Sequence, residues 1–366
     1  MAATIASFKV DHFQFLNPEG QLVTDGQPIP ALARDIKQLL SLYRLMTQVR
    51  VFDKKAVALQ RTGKLGTYAS CLGHEAAHVA IGSAMREEDC FAPMYREYGA
   101  QMYRGVKMSE ILMYWGGDER GNNFSGPKHD FPWCVPIATQ CLHAAGAALA
   151  YKLHHQPRVA VSVVGDGGSS KGDFLEAINA ASAWKLPLVL VIVNNQWAIS
   201  VPRSKQNTAA TLAQKGIAGD LHSVQVDGND IIAARYVMDK VIAAAREGKG
   251  ASVVEMMTYR LSDHTTADDA RRYRDQAEVD AAWKKEPLTR LRSYLMDQGF
   301  WDEVKEEELL AECADRVQAA VEDYQQRVGD QPQAVDEMFR YMYKDLPHNL
   351  EAQRELARRY PPRGGH

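Results

Sequence analysis

From residue 35 to about residue 61 the apolar positions Leu39, Leu42, Leu45, Met46, Val49, Phe52 and Val57 recur every three to four residues, which predicts one long amphipathic helix. A glycine turn at residues 63–66 closes it. The residues before the helix are polar and broken by Pro18, Gly20, Gly26, Pro28 and Pro30. They are expected to form an arm with little regular structure of its own, laid on the rest of the molecule.

The central half changes period. Residues 159–164 are a short β-branched run, 174–184 read as a helix, and 188–193 are apolar again and end in asparagines. Residues 224–226, a helical stretch over Ile231–Arg246, and residues 253–256 continue the alternation. Strands that are apolar at nearly every position, alternating with helices, predict a buried parallel sheet covered on both faces. Beyond Gln276 the chain is charged and helical to Arg327, and helical again over residues 335–343. The expected organisation is an arm (1–33), a three-layer α/β domain (34–275) and a helical C-terminal extension (276–366), with no internal repeat.

Composition narrows the class. With 43 basic against 46 acidic residues and a net charge of -3, nothing marks a nucleic-acid or membrane surface. Residues 1–10 lack the basic start and apolar core of a signal peptide, so a cytoplasmic enzyme is expected. The five cysteines (Cys71, Cys90, Cys134, Cys141 and Cys313) are scattered with no Cys-x-x-Cys pair, which suggests reduced thiols rather than a disulfide frame or a zinc site.

The chemistry concentrates in VVGDGGSSKGDFLEAINAASAWKLPLVLVIVNNQWAISVP, residues 163–202. Gly165-Asp166-Gly167 ends one predicted strand and Asn194-Asn195 ends the next, so in a parallel sheet both project from the same edge. Asp166 offers an anionic oxygen, Asn195 a neutral one, and the carbonyl of a nearby residue such as Trp197 a third. That is an oxygen set suited to octahedral magnesium, with places left for two phosphate oxygens and water. Gly165, Gly167 and Gly168 let backbone approach a diphosphate closely, and the next helix aims its N-terminal amides at the anion.

This segment resembles the thiamine diphosphate fingerprint, GDG followed after about 25–30 residues by NN. The resemblance covers nearly the whole chain and is to the alpha subunits of the two-chain pyruvate and branched-chain 2-oxo acid dehydrogenases. RTGKLGTYASCLGHEA, YRE at 95–97, ATQ at 138–140, NNQWAISVP and HTTADDARRYR carry it. It implies that Tyr95 and Arg96 reach the cofactor diphosphate, Arg96 through a charge-assisted contact. Asp166, Asn195 and the Trp197 carbonyl would hold magnesium, and Val135 and Ile137 would meet the aminopyrimidine ring. His264 would be the catalytic acid or hydrogen-bond donor, on a loop over the cofactor. The resemblance further implies an α2β2 heterotetramer whose beta subunit supplies the glutamate that activates thiamine, a lipoyl acyltransferase core as acceptor, and a small 2-oxo acid substrate. By itself this chain is expected to bind cofactor poorly, and its His264 loop to order only with cofactor and partner.

Other patterns compete with it. His74, Glu75 and His78 match HExxH formally, but no third ligand follows and the same helix in the resembling family starts GQEA or GHEA without zinc. A helix start with Glu75 at its positive end is the preferred reading. His154-His155 are expected to cap a helix. The stretch around Lys171 lacks the Gly-Lys-Ser/Thr of a phosphate loop, and no GxGxxG follows a strand. Thr139 and Gln140 match a potassium-binding pair of the branched-chain enzymes and equally suit an ordinary helix start. Thr265 and Thr266 stand where mitochondrial kinases act on serine, so no such regulation is expected. Pyruvate leads as substrate on GDGGSSKGDF and chain length, while ATQ, VDGND and MTYR favour a branched acid, and an acetoin-cleaving relative is a third reading. A non-catalytic scaffold subunit is set against the retention of Asp166, Asn195, Arg96 and His264. A monomeric transketolase-like enzyme is set against the length, which leaves no room for a pyrimidine-binding domain.

Overall fold

The computed structural model describes residues 3–24, 26–330 and 334–360. Six parallel strands form the central sheet in the order β1-β7-β8-β4-β3-β2. These are β1 (Asp11–Phe13), β2 (Cys90–Ala92), β3 (Ala160–Gly165), β4 (Leu188–Asn194), β7 (His222–Asp227) and β8 (Ser252–Met257), while β5 (Trp197–Ala198) and β6 (Val201–Pro202) form a small antiparallel ribbon beyond the sheet edge. Helices α1 (Ile36–Arg61), α2 (Glu75–Ala84), α3 (Tyr98–Tyr103), α4 (Met108–Trp115), α5 (Thr139–Leu153), α6 (Gly172–Ala183), α7 (Arg203–Gln206) and α8 (Ile231–Arg246) interleave with them. Helices α9 (Gln276–Trp283), α10 (Pro287–Asp297), α11 (Glu303–Asp330), α12 (Glu337–Arg340) and α13 (His348–Arg358) follow.

Strand β4 explains why the layers number three. Leu188, Leu190 and Ile192 face a core shared with α5 and α6, while Val189, Val191 and Val193 face the opposite core with α1, α2 and α8. Both faces are therefore dry, which is why its seven residues are apolar up to the terminal asparagine. A third cluster joins the C-terminal half of α1 to α4 and α11.

The N-terminal segment is mostly irregular and lies on the rest of the molecule, and the short strand in it escapes the sequence pattern. Residues 11–13 add strand β1 to the sheet edge, with Asp11, His12 and Phe13 in register with Val224, Gln225 and Val226. Asp230 then ties residues 15 and 16 to the start of α8. One carboxylate oxygen caps α8 through Ile232 N (2.9 Å) and Ala233 N (3.1 Å), and the other accepts Phe15 N (2.6 Å) and Leu16 N (2.7 Å). Buried Arg290 of α10 adds Asp227 (2.6 Å) and the Leu16 carbonyl (3.1 Å), so the C-terminal helices share the sheet's core. The stretch expected to be helical over 335–343 is helical only at Glu337–Arg340. His154 does cap α5, and His155 turns the chain with a φ of 53°. All five cysteines are free and buried, and among the described residues no helix is long and apolar enough to cross a membrane.

Candidate active site

Because the strands are parallel, the loops leaving β2, β3, β4 and β8 emerge at one edge. They carry Tyr95 and Arg96, then Asp166 to Gly168, then Asn195 and Trp197, then His264. With Gly165, Val135 and Ile137 these residues line one cavity of about 690 Å³, inside the range of ~300–1,000 Å³ common to ligand sites. Every residue expected to meet the cofactor stands on that wall. Thr139 and Gln140 do not; they open α5 behind it.

Asp166 is buried, and burial raises its carboxyl above the usual carboxylate range. Among the described residues its side-chain partner is a neutral amide, Gln206 Nε2 at 2.9 Å. Asn195 accepts Trp197 N through Oδ1 (3.2 Å), which fixes the asparagine against the backbone whose carbonyl is the expected ligand. The glycines are needed first by the chain itself. A Cβ on Gly167 would lie 2.5 Å from Ala198 Cβ, and one on Gly168 would lie 2.5 Å from Val164 Cγ2 and 3.0 Å from Ile137 Cγ2. At Gly165 the nearest such atom is Met94 Cε at 3.8 Å, an ordinary contact. The turn Gly168–Ser170 is 3-10, and α6 begins only at Gly172.

His264 is set between two guanidinium groups. Arg96 Nη2 lies 3.3 Å from its Nδ1 and 3.0 Å from its carbonyl, and Arg260 Nη1 lies 3.5 Å from Nδ1. Arginine only donates, so Nδ1 must be the acceptor and the ring proton is assigned to Nε2. Burial, then the charges of Arg96 and Arg260, pull the imidazole down to about 3; at neutral pH it is an uncharged donor through Nε2. Arg96 also donates to the Ser70 carbonyl and lies over the Tyr95 ring at 5.4 Å, so part of its hydrogen-bonding capacity is spent within the chain. Arg260, fully buried, binds the Ile199 carbonyl (2.9 Å), the Trp197 carbonyl (3.3 Å) and Tyr273 Oη (2.8 Å). The His264 loop is described throughout. Thr266 N donates to the Tyr68 carbonyl (2.8 Å), Tyr68 N donates to Thr266 Oγ1 (3.0 Å), and His264 N donates to Asp268 (2.9 Å).

Gln206 and Arg260 escape a reading of the sequence alone. Gln206 lies in no spaced motif, and Arg260 ends the MTYR run without any signal that it crosses to the Trp197 turn. The HExxH residues are occupied otherwise. Glu75 binds Arg50 Nε (2.5 Å) and Gly73 N (3.0 Å), and the rings of His74 and His78 stack in parallel with centroids 5.4 Å apart, a geometry in which their nitrogens do not converge. Gln140 donates to the Val163 carbonyl (2.7 Å) while its buried Oε1 has no partner among the described residues, and Thr139 Oγ1 donates to Asp173 (3.1 Å).

A cleft at the carboxyl edge of a parallel sheet is where α/β enzymes hold their ligands, and comparison with known proteins gives that class a family. Residues 43–334 match the dehydrogenase E1 component, and the chain belongs to this family of thiamine diphosphate-dependent 2-oxo acid dehydrogenase components. It is similar to the pyruvate dehydrogenase E1 component subunit alpha of Mycoplasma genitalium, 38% identical over 350 residues that cover 95% of this chain and 96% of the relative. It is equally similar to the 3-methyl-2-oxobutanoate dehydrogenase subunit alpha of Mycobacterium tuberculosis, 39% identical over 357 residues (97% and 95%). The Staphylococcus aureus pyruvate dehydrogenase E1 component subunit alpha is 38% identical over 350 residues (95% and 93%).

Proposed function

We propose that this chain is the alpha subunit of a pyruvate dehydrogenase, which decarboxylates pyruvate oxidatively and passes the acetyl group to a lipoyl acyltransferase. The observation that carries the reading is the convergence of Tyr95, Arg96, Val135, Ile137, Gly165, Asp166, Gly167, Gly168, Asn195, Trp197 and His264 on one cavity. On this reading residues 34–275 form the unit that binds diphosphate and magnesium, with 1–33 as arm and 276–366 as extension.

The residues suit a cation and an anion together. Among the described residues the side-chain hydrogen-bond partner of the buried Asp166 carboxylate is a neutral amide, and a divalent ion would stabilise its charged form. Asn195 and the Trp197 carbonyl add neutral oxygens of the kind magnesium prefers. Arg96, held in place by Ser70 and His264, keeps its charge at the cavity wall for the diphosphate. Bound thiamine diphosphate supplies the electron sink that lets the carboxylate of a 2-oxo acid leave as carbon dioxide. The protein's own contribution is to orient that group between the diphosphate loop and the backbone at Val135 and Ile137. His264 Nε2 offers a neutral donor to the reacting oxygen, and Met94 and Trp115 make part of the wall apolar. The apolar rim at Val135, Ile199 and Val201 is 51%, 56% and 42% exposed, which supports closure by a beta subunit in an α2β2 assembly.

The second reading is 3-methyl-2-oxobutanoate as substrate. The buried Oε1 of Gln140, one residue from Thr139 and without a partner among the described residues, supports it, since a potassium ion would satisfy that atom and brace the backbone beside Val135 and Ile137. Decarboxylation assayed with magnesium and thiamine diphosphate on the chain co-expressed with its beta partner separates the two. Faster turnover of pyruvate is expected, preference for the branched acid promotes the second reading, and inactivity on both without cofactor binding sinks the assignment.

A further inference from the structure

The two asparagines after β4 divide their labour. Asn195 faces the cavity, whereas Asn194 is buried and does not line it. Asn194 Nδ2 donates to Glu255 Oε1 at 2.7 Å, and its Oδ1 accepts Gln196 N (3.2 Å) and Gln196 Nε2 (3.1 Å). Glu255 sits on β8 between Ile192 of β4 and Gln225 of β7, 1% exposed. Its other oxygen accepts Leu212 N (2.8 Å), Ala213 N (3.1 Å) and Gln225 Nε2 (3.0 Å).

All four partners donate, so an acceptor-only carboxylate satisfies every one. That edge leaves Asn194 one orientation, nitrogen towards Glu255 and oxygen towards Gln196 N. The second half of the contact matters because Gln196 has a φ of 74°, a left-handed conformation that a residue with a Cβ adopts only when its surroundings hold it. That single kink decides where Asn195 and the Trp197 carbonyl point, and Asn195 Oδ1 and Arg260 then hold the result.

We propose that Glu255 is a positioning residue for the cation-binding turn, acting through Asn194 on the Gln196 kink; this rests on the magnesium and thiamine diphosphate reading above. Glu255 touches neither ligand. It sets the direction of the oxygens that do, the part outer carboxylates play around ligand side chains in metal sites.

The test is an exchange of one proton-bearing group. In Glu255→Gln the oxygen of the new amide still serves Leu212, Ala213 and Gln225, but its NH2 confronts Asn194 Nδ2. Asn194 must then reverse and turn a donor on Gln196 N. Adding Asn194→Asp restores an acceptor on both sides. Binding is measured on the chain assembled with its beta partner, by titrating thiamine diphosphate at fixed magnesium and magnesium at fixed thiamine diphosphate, beside circular dichroism and kcat. Glu255→Gln is expected to weaken magnesium-dependent binding about 10–100-fold with kcat recovering at saturation, and the double variant to return to near the wild-type value. A folded Glu255→Gln protein with unchanged binding overturns the proposal, as does a double variant no better than the single one. Should the single variant not assemble, the double variant decides: assembly with near wild-type binding supports the proposal, and failure to assemble or bind overturns it. Wild-type protein that binds no thiamine diphosphate would sink the cofactor reading itself, whatever the variants do.

Discussion

Glu97 closes the YRE run and gives the site loop a pH dependence that can be worked from the structure. Its carboxyl is wholly buried, and Oε2 accepts Met94 N (2.8 Å) and Arg96 N (3.3 Å), clamping the segment that carries Tyr95 and Arg96. Burial pushes the group up from its ordinary 4.5 to about 7, against the pull of the two amides and the Arg96 charge. The folded state thus holds a proton that the unfolded chain releases. Below pH 4.5 both states are protonated and the stabilisation is fully present; as pH rises towards 7 the unfolded chain ionises first and stability falls, levelling off above that point. At about 1.4 kcal/mol per tenfold in proton affinity, the loss amounts to about 3 kcal/mol. Glu97→Gln keeps an oxygen for both amides and cannot ionise, so its stability should lack this decline. Urea unfolding of both proteins from pH 4.5 to 8 isolates the effect, because every other group titrates in both. The expected difference is small at pH 4.5 and grows to about 3 kcal/mol in the variant's favour by pH 8. Curves that stay parallel across this range would refute the burial argument.

Gly167→Ala forces a methyl to 2.5 Å from Ala198 Cβ and should cost about 1–3 kcal/mol, read as weaker thiamine diphosphate binding. Native affinity would show that the two loops have slack. The His264 ring should show no titration between pH 5 and 8 by NMR in the cofactor-free chain, since its imidazole stays neutral to about 3; a midpoint near 6.5 would remove the explanation from burial and the two arginines. Replacing it, as His264→Asn, should lower kcat by roughly 10²–10⁴ with little change in cofactor affinity, and equal losses in both would make it a binding residue instead. Asp230→Ala should destabilise the fold by roughly 2–5 kcal/mol, because Phe15, Leu16, Ile232 and Ala233 lose an acceptor together. Limited proteolysis should then cut ahead of α1, and an uncut arm would mean that β1 pairing alone retains it.

How far the sequence discloses each feature depends on how that feature is made. The inner strands announce themselves because two dry faces require apolar residues at every position, as in β4. The edge strands β1 and β2, each paired on one side only, stay hidden because each is three residues long, and β1 is polar at two of its three positions. The helix over Glu337–Arg340 is shorter than its apolar spacing predicts because that spacing is not backed by burial; none of its residues is buried.

Within the site the same division holds at the level of single side chains. Asp166 and Asn195 are legible from their types and spacing, since the proposed cation would call for oxygen donors and a parallel sheet imposes where they emerge. Tyr95, Arg96, Val135, Ile137 and His264 come only from family likeness, because nothing periodic brings residues 95, 135 and 264 to one wall; the order of strands does. Glu255, Gln206 and Arg260 are out of reach for a further reason: each meets the site through a partner on another element, Asn194, Asp166 and the Trp197 carbonyl respectively. A residue that orients a ligand-binding group needs only the complementary hydrogen-bonding character at the end of a fold-determined path. Arg260 shows the consequence. It holds the Trp197 carbonyl and crowds His264 Nδ1 at once, so it couples the geometry of the Asn195–Trp197 turn to the tautomer of the candidate catalytic ring. Neither role has a sequence signature apart from the fold that unites them.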